Sequence, residues 1–238
     1  MKTVSKILLG IAIVFLAYLC IMSIVTPIQF ENIRVAREKD VINRLIDLRK
    51  AELEYKDQFN EFTDSMPKLI EFVRTGKKKI VQKEGALTDA QLESGLTERQ
   101  AVKIVNSGNM KEIKAKGLEG FRRDTMLVDV IEELYAGKYT RENIDQMAII
   151  PYSENAQFLL KVNNDYKNDI GIRIPLFEAL APYEAYLHDL DRQELLNLID
   201  RDRQMDKEDD DPQILKTKKY GLKVGSVKEP NNNAGNWE

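Results

Sequence analysis

The sequence has 238 residues, with 36 lysines and arginines against 39 aspartates and glutamates, which gives a net charge of −3. A slightly acidic chain lacks the basic face that a phosphate backbone requires, so we predict no nucleic-acid partner. The sequence contains one cysteine, Cys20, and one histidine, His188. These counts exclude a disulfide within the chain and a metal site built from several histidines or thiolates.

Residues 7–25 form an uninterrupted run without a charge (ILLGIAIVFLAYLCIMSIV). As a helix the run would be roughly 28 Å long at ~1.5 Å per residue, enough to cross the hydrocarbon core of a bilayer. We therefore predict a transmembrane helix here. A permanent anchor, a cleaved signal peptide and a lipoprotein signal are all open interpretations. The anchor is favoured, because neither Ala17–Leu19 nor Ser23–Val25 offers an A-x-A cleavage site and bulky residues precede Cys20.

The charges around the apolar run predict its orientation. Lys2 and Lys6 precede the run, whereas the first basic residue after it is Arg34. Basic residues close to a membrane span stay on the cytoplasmic side. We therefore expect residues 1–6 to form a cytoplasmic tail of a single-pass inner-membrane protein, with the C-terminal domain in the periplasm.

Residues 26–75 are predicted to form a helical stalk and a short helix. Apolar residues with a three-four spacing indicate a long amphipathic helix from Gln29 to Gln58 that continues from the anchor. A second, short helix is predicted at Lys68–Val73. The apolar stripe has to be covered, either by the chain's own core or by another subunit. As interface candidates we take Val41, Leu45, Leu48, Tyr55, Phe59 and Phe62.

Residues 76–155 are polar and punctuated by glycines, which predicts an insertion or a flap, the lid of any ligand site lying within Gln82–Gly120. Thr88–Gln91 and Thr97–Gln100 match the capping-box pattern that begins helices. The stretch Phe121–Tyr135 is compatible with a strand and with one face of a helix.

Residues 156–238 are predicted to form an antiparallel β region with an acidic loop and a tail rich in glycine and asparagine. The strand candidates are Gln157–Val162, Ile170–Phe177 and Glu178–Leu187. A helix is favoured from Arg192 to about Met205, with a strand as the alternative. The predicted fold class is α+β: a transmembrane helix continues into an amphipathic helix that packs on a small antiparallel sheet.

The order of these elements resembles that of type IV pilins and type II secretion pseudopilins. The resemblance is clearest over residues 1–75, where an apolar helix leads into Arg44–Arg49 (RLIDLR), Ala51, Tyr55 and Phe59, followed by the helix Lys68–Phe72. The chain also resembles a group of uncharacterised single-pass envelope proteins of Bacteroidetes. That likeness lies in the Arg-Leu-x-Asp-Leu-Arg pattern, in Leu190–Gln193 and in Asn231–Glu238 (NNNAGNWE).

The chain departs from pilins at two functional positions. Pilins carry a Gly-Phe processing junction and a glutamate near the start of the mature helix, whereas here Gly10 precedes Ile11 and the apolar run contains no acid. The resemblance therefore implies a pilin-like fold rather than filament assembly by the pilin mechanism.

No sequence pattern for a hydrolase nucleophile, a phosphate-binding loop, a dinucleotide fold or a zinc protease is present, so we predict no enzymatic activity and no catalytic residue. The dense acids after residue 205 are weak calcium candidates. They are Asp206, Glu208, Asp209, Asp210 and Asp211.

The expected function is a structural or assembly component of the cell envelope, in a secretion- or filament-like apparatus, with the lipid bilayer and itself or other envelope proteins as partners. The alternative is a ligand-binding or sensory periplasmic ectodomain.

Overall fold

The computed structural model describes residues 2–205 and 218–238. The chain forms two compact units, of which the first contains Met1–Val73 and Thr140–Glu238 and the second contains Arg74–Tyr139. In chain order the elements are α1 (Lys2–Phe59), α2 (Met66–Thr75), β1 (Lys77–Glu84), α3 (Asp89–Glu93), α4 (Glu98–Asn106), α5 (Met110–Ala115), β2 (Arg122–Asp129), α6 (Val130–Tyr135), a 3-10 helix (Ile144–Ala148), β3 (Leu159–Asn163), β4 (Leu176–Pro182), α7 (Tyr183–Tyr186), α8 (Arg192–Met205) and β5 (Gly221–Gly225).

Helix α1 joins the apolar run and the predicted amphipathic helix in one element of 58 residues. Its apolar part is long and apolar enough to span a membrane, and none of that part is buried by the rest of the chain. Pro27 lies inside α1. Because proline lacks an N–H group, the carbonyl of Ser23 loses its helical partner, yet the helix continues on both sides.

The first unit is organised around the second half of α1. This half packs against β4 and β5, which belong to an antiparallel sheet in the order β3-β4-β5. Strand β4 is the central strand, and apart from the half-buried Glu178 all its residues are buried. A long N-terminal helix with small antiparallel sheets confirms the predicted α+β class, and the layout is compatible with a pilin-like arrangement.

Helix α8 confirms the helix predicted at this position. Its first turn is capped by Asp191, whose carboxylate accepts hydrogen bonds from the backbone N–H groups of Gln193 and Glu194 at 2.9 and 3.0 Å. An aspartate at this position satisfies N–H groups that have no partner within the helix.

The second unit contains a two-stranded antiparallel ladder. The segment of the sequence that connects the two strands forms a small bundle of the helices α3, α4 and α5. Strands β1 and β2 pair antiparallel from Lys77 opposite Asp129 to Glu84 opposite Arg122. Both predicted capping boxes are confirmed at the starts of α3 and α4. The bundle has its own core, formed by Leu96, Ala101, Ile113, Leu118 and Phe121.

The strand predicted at Ile170–Phe177 is wrong for most of its length. Residues 167–173 instead form a turn, closed by a bridge between Lys167 and Arg173. Ile170 is 77% exposed, so the alternating isoleucines do not mark a buried face. The central strand β4 begins only after Pro175, and the strand predicted at Glu178–Leu187 ends at Pro182, where α7 follows.

Gly221 provides a test of the tight pairing between β4 and β5. A Cβ atom at this position would lie 1.9 Å from the carbonyl oxygen of Ala181. We expect Gly221→Ala to lower the free energy of unfolding by about 1–3 kcal/mol or more, because the two strand backbones must separate. Thermal unfolding of the detergent-solubilised full-length chain, followed by circular dichroism, measures the change.

Gly171→Ala is the matched control in the same unit. Open space surrounds that glycine, so the substitution meets only the strain of a positive φ of 78°, which costs about 1 kcal/mol. Equal destabilisation by the two variants would contradict the steric argument.

Candidate functional site

The structure buries five of the six predicted interface residues in the core of the first unit. Val41, Leu45 and Leu48 are fully buried, as are nearly all of Tyr55 and Phe62. Phe59 differs, because 52% of its surface remains exposed although its ring packs 4.5 Å from that of Tyr55. The chain therefore covers most of the stripe itself, and a role for these residues in contacting a partner stays a prediction.

Three arginines of α1 hold distant parts of the first unit. Arg37 donates to the carbonyl oxygen of Tyr186 and, with both terminal nitrogens, to Asp189 at 2.5 and 2.7 Å. Arg44 donates to the carbonyl oxygen of Gln146. Arg49 donates to the carbonyl oxygen of Asn233 and to the Glu238 carboxylate. Both arginines of the Arg44–Arg49 pattern therefore bind other segments of the same chain.

The single histidine, His188, lies in the first unit between α7 and α8. His188 is exposed, and its Nδ1 lies 3.2 Å from the carbonyl oxygen of Ala185. The Arg37 guanidinium lowers the pKa of the neighbouring Asp189 to about 2. Within residues 2–205 and 218–238, no group of three or more His, Cys, Asp or Glu residues is arranged to hold a metal. The calcium candidates Asp206–Asp211 lie outside the described residues.

A polar cluster lies where α1 meets α7 and α8. On α1, Arg34 bonds Glu31 at 2.5 Å and Glu38 at 3.2 Å, which are its neighbours one helical turn before and after it. Burial raises the pKa of Glu38, although the charge of Arg34 opposes this shift. The Tyr183 hydroxyl donates to Asp202 at 2.9 Å, and burial raises the pKa of Tyr183.

A cleft of about 530 Å³ opens beside this cluster. It is lined by residues of α1 between Pro27 and Asn32 and by Glu194, Asn197, Leu198 and Arg201 of α8; we call it the junction cleft. Its walls combine buried apolar side chains, Phe30 and Leu198, with charged groups of both signs. Such a mixture of an apolar lining and a few polar groups is typical of a ligand site.

Glu52 is a buried acid in the core of the first unit. None of its surface is exposed, and its Oε2 accepts a hydrogen bond from the backbone N–H of Thr63 at 3.2 Å. Burial raises its pKa to about 8, and the nearby Asp64 adds to this shift. At neutral pH the side chain is therefore mainly protonated, and it ties α1 to the turn that precedes α2.

The chain matches no protein-family model, no curated protein and no solved structure.

Sequence reasoning identified neither the junction cleft nor Glu52. Pro27 and Asn32 were assigned only to the start of the stalk, and nothing in the periodicity of α8 indicates which helix it lies beside. Glu52 stands among other charged residues of a polar helix, and only its position on the face that packs against the turn distinguishes it. A signal was present in its spacing, since Glu52 follows Leu45 and Leu48 at seven and four residues.

The buried Glu52 predicts how the stability of the protein depends on pH. Its folded pKa of about 8 exceeds the ordinary value of 4.5, so the unfolded chain releases this proton at a lower pH than the folded chain does. The contribution of the protonated Glu52 to the free energy of unfolding is therefore fully present below the pKa of the unfolded chain. It is lost as the pH rises toward 8. We expect Glu52→Gln to be more stable than the wild type by several kcal/mol at pH 8 and to differ little at pH 4.5.

Thermal or urea unfolding of the full-length chain across this pH range measures the difference. Glu61→Gln removes one carboxylate from the surface and is the control for a change in net charge. A constant difference between Glu52→Gln and the wild type at all pH values would contradict the assignment of a protonated Glu52.

Proposed function

We propose that the chain is a non-enzymatic, single-pass component of the bacterial cell envelope, held in the inner membrane by α1 with its folded domain in the periplasm. There it acts as a structural or assembly component. The observation that carries the proposal is that the membrane-length part of α1 and the central helix of the folded unit are one helix.

The continuity of α1 favours a permanent anchor over a cleaved leader. All residues from Lys2 to Phe59 are helical, so no extended segment with small residues is presented for cleavage near the end of the apolar run. The apolar part is also uncovered by the rest of the chain, unlike the core helix of a soluble protein. The proposed orientation rests on Lys2 and Lys6, which lie on the cytoplasmic side.

We expect alkaline carbonate washing to leave the full-length chain in the membrane pellet, because an apolar helix of this length partitions into lipid. For the orientation, single cysteines are introduced into a Cys20→Ser background. A membrane-impermeant maleimide should label Glu229→Cys in cells with a permeabilised outer membrane, and it should label Thr3→Cys only after the inner membrane is broken. Recovery of a soluble chain without residues 1–25, or the reverse labelling pattern, would contradict the proposal.

A line of exposed apolar residues on α1 supports the assembly role. Ile21, Ile28 and Val35 follow one another at intervals of seven residues, and each is at least half exposed. A seven-residue interval keeps side chains on nearly the same side of a helix. This line continues the lipid-facing surface beyond the apolar run, where a second helix can pack against it.

Disulfide crosslinking in membranes tests this surface. In the Cys20→Ser background, we expect Val35→Cys to form a crosslinked species larger than the monomer on mild oxidation. Ile33→Cys is the matched control, because it is 41% exposed at the same height but on the opposite side of α1. Absence of a crosslinked species for Val35→Cys, or equal yields for both positions, would contradict assembly through this line.

The junction cleft favours a second candidate function, that of a ligand-binding ectodomain. The cleft combines apolar walls with charged groups, and it lies in the unit that contains α1. We expect its ligand to match the level at which the cleft lies along α1, just beyond the apolar run.

A further inference from the structure

The junction cleft lies just beyond the end of the apolar run. On a straight α-helix, Pro27 and Asn32 lie about 3 and 10 Å beyond Val25 along the axis. The headgroup layer extends roughly 5–7 Å from each side of a hydrocarbon core about 30 Å thick. If α1 spans the membrane as proposed above, the cleft therefore opens at the level of the lipid headgroups.

The α8 wall of the cleft carries opposite charges at its two ends. Glu194 and Arg201 are seven residues apart and both line the cleft, which places them about 10 Å apart along the helix on the same face. Among the described residues, Glu194 has no basic partner within ion-pair distance. The Arg201 side chain is 58% exposed, and its nearest carboxylate, that of Asp202, is 4.0 Å away. Both groups are thus accessible to a ligand.

An uncharged surface continues from the cleft toward the apolar run. Ile24 and Cys20 precede Pro27 by three and seven residues, so they share its side of α1. Both are exposed. A ligand with a polar end in the cleft therefore has an apolar path along α1 into the hydrocarbon region, and this is the shape of a membrane lipid.

We propose that the junction cleft binds the headgroup of phosphatidylethanolamine. The phosphate accepts hydrogen bonds from Arg201, and the primary ammonium donates to Glu194. A phosphoethanolamine held at both ends by charge-assisted hydrogen bonds of about 2.8 Å spans a length comparable to the rise of about 10 Å between these two residues along α8. The proposal rests on the proposed anchor, since the cleft meets lipid only if α1 spans the bilayer.

The charge pattern distinguishes this lipid from two others with the same phosphate. Phosphatidylcholine carries a quaternary ammonium that has no N–H to donate to Glu194. Phosphatidylglycerol carries the same phosphate but no cation, so Glu194 gains no partner and nothing offsets the repulsion between its carboxylate and the phosphate. The expected order of binding is therefore phosphatidylethanolamine first, with both other lipids several-fold weaker.

Native mass spectrometry of the full-length protein in non-ionic detergent, with an equimolar mixture of the three lipids, tests the order directly. We expect Arg201→Gln and Glu194→Gln each to reduce the binding of phosphatidylethanolamine about tenfold to a hundredfold, the effect of one charge-assisted hydrogen bond. Arg192→Gln, at an exposed position of α8 outside the cleft, removes the same charge as Arg201→Gln and should leave binding unchanged.

A charge reversal separates a lost contact from a lost fold. Glu194→Lys should shift the preference toward phosphatidylglycerol, a gain that a misfolded variant does not produce. Equal binding of the three lipids by the wild type, or equal losses in Arg192→Gln and Arg201→Gln, would overturn the proposal. Because this measurement is made in detergent, its result is independent of the carbonate and labelling experiments that test the anchor.

Discussion

The structure depends on one constraint: a single helix serves both as the membrane-length segment and as the core of the folded unit. Val41, Leu45, Leu48 and Ala51 of α1 are fully buried, whereas the apolar residues before Pro27 are covered by nothing in the chain. The helix continues between the two parts, with one backbone hydrogen bond missing at Pro27, so the membrane-length segment leads directly into the core of the unit. The membrane-length segment and the core of the unit thus belong to one continuous helix.

The same constraint explains why so many charged residues of α1 are engaged within the chain. A helix that is surrounded by other elements presents polar groups to them, and each such group needs a partner. Arg37, Arg44 and Arg49 bind segments that lie far away in sequence. The stretch Asn231–Glu238, which reads as a polar tail, is folded back through Arg49 and through a bridge between Val224 and Gly235.

Elements with a strong local signal could be predicted from the sequence. The length of the apolar run, the three-four spacing of the stripe, the capping boxes and the aspartate before α8 each depend on neighbouring residues alone. The strand at Ile170–Phe177 was wrong because its alternation is created by a turn, in which the Asn168 side chain accepts a hydrogen bond from the backbone N–H of Ile172. Strand β1 was missed because a ladder exposed along most of its length requires no alternation of apolar residues.

The site was harder to predict than the fold because its two walls come from helices far apart in sequence. Glu194 and Arg201 are seven residues apart and so lie on one face of α8, but only the folded structure sets that face beside Pro27. The polar cluster of Arg34 and Glu38 also combines residues far apart in sequence, because Tyr183, which faces it, belongs to α7. Pairings of this kind depend on tertiary packing, which local patterns do not encode.

These contacts also limit where a partner can bind the first unit. The stripe that the sequence offered as an interface is mostly covered by β4, β5 and α2, and the arginines of α1 hold other segments of the chain. The part of α1 between Val25 and Lys39 is different, because its surface stays largely open. Both features that carry the proposals, the line through Ile28 and Val35 and the junction cleft, lie in this short segment. Any contact made in this segment is therefore made on the same helix that forms the core of the unit.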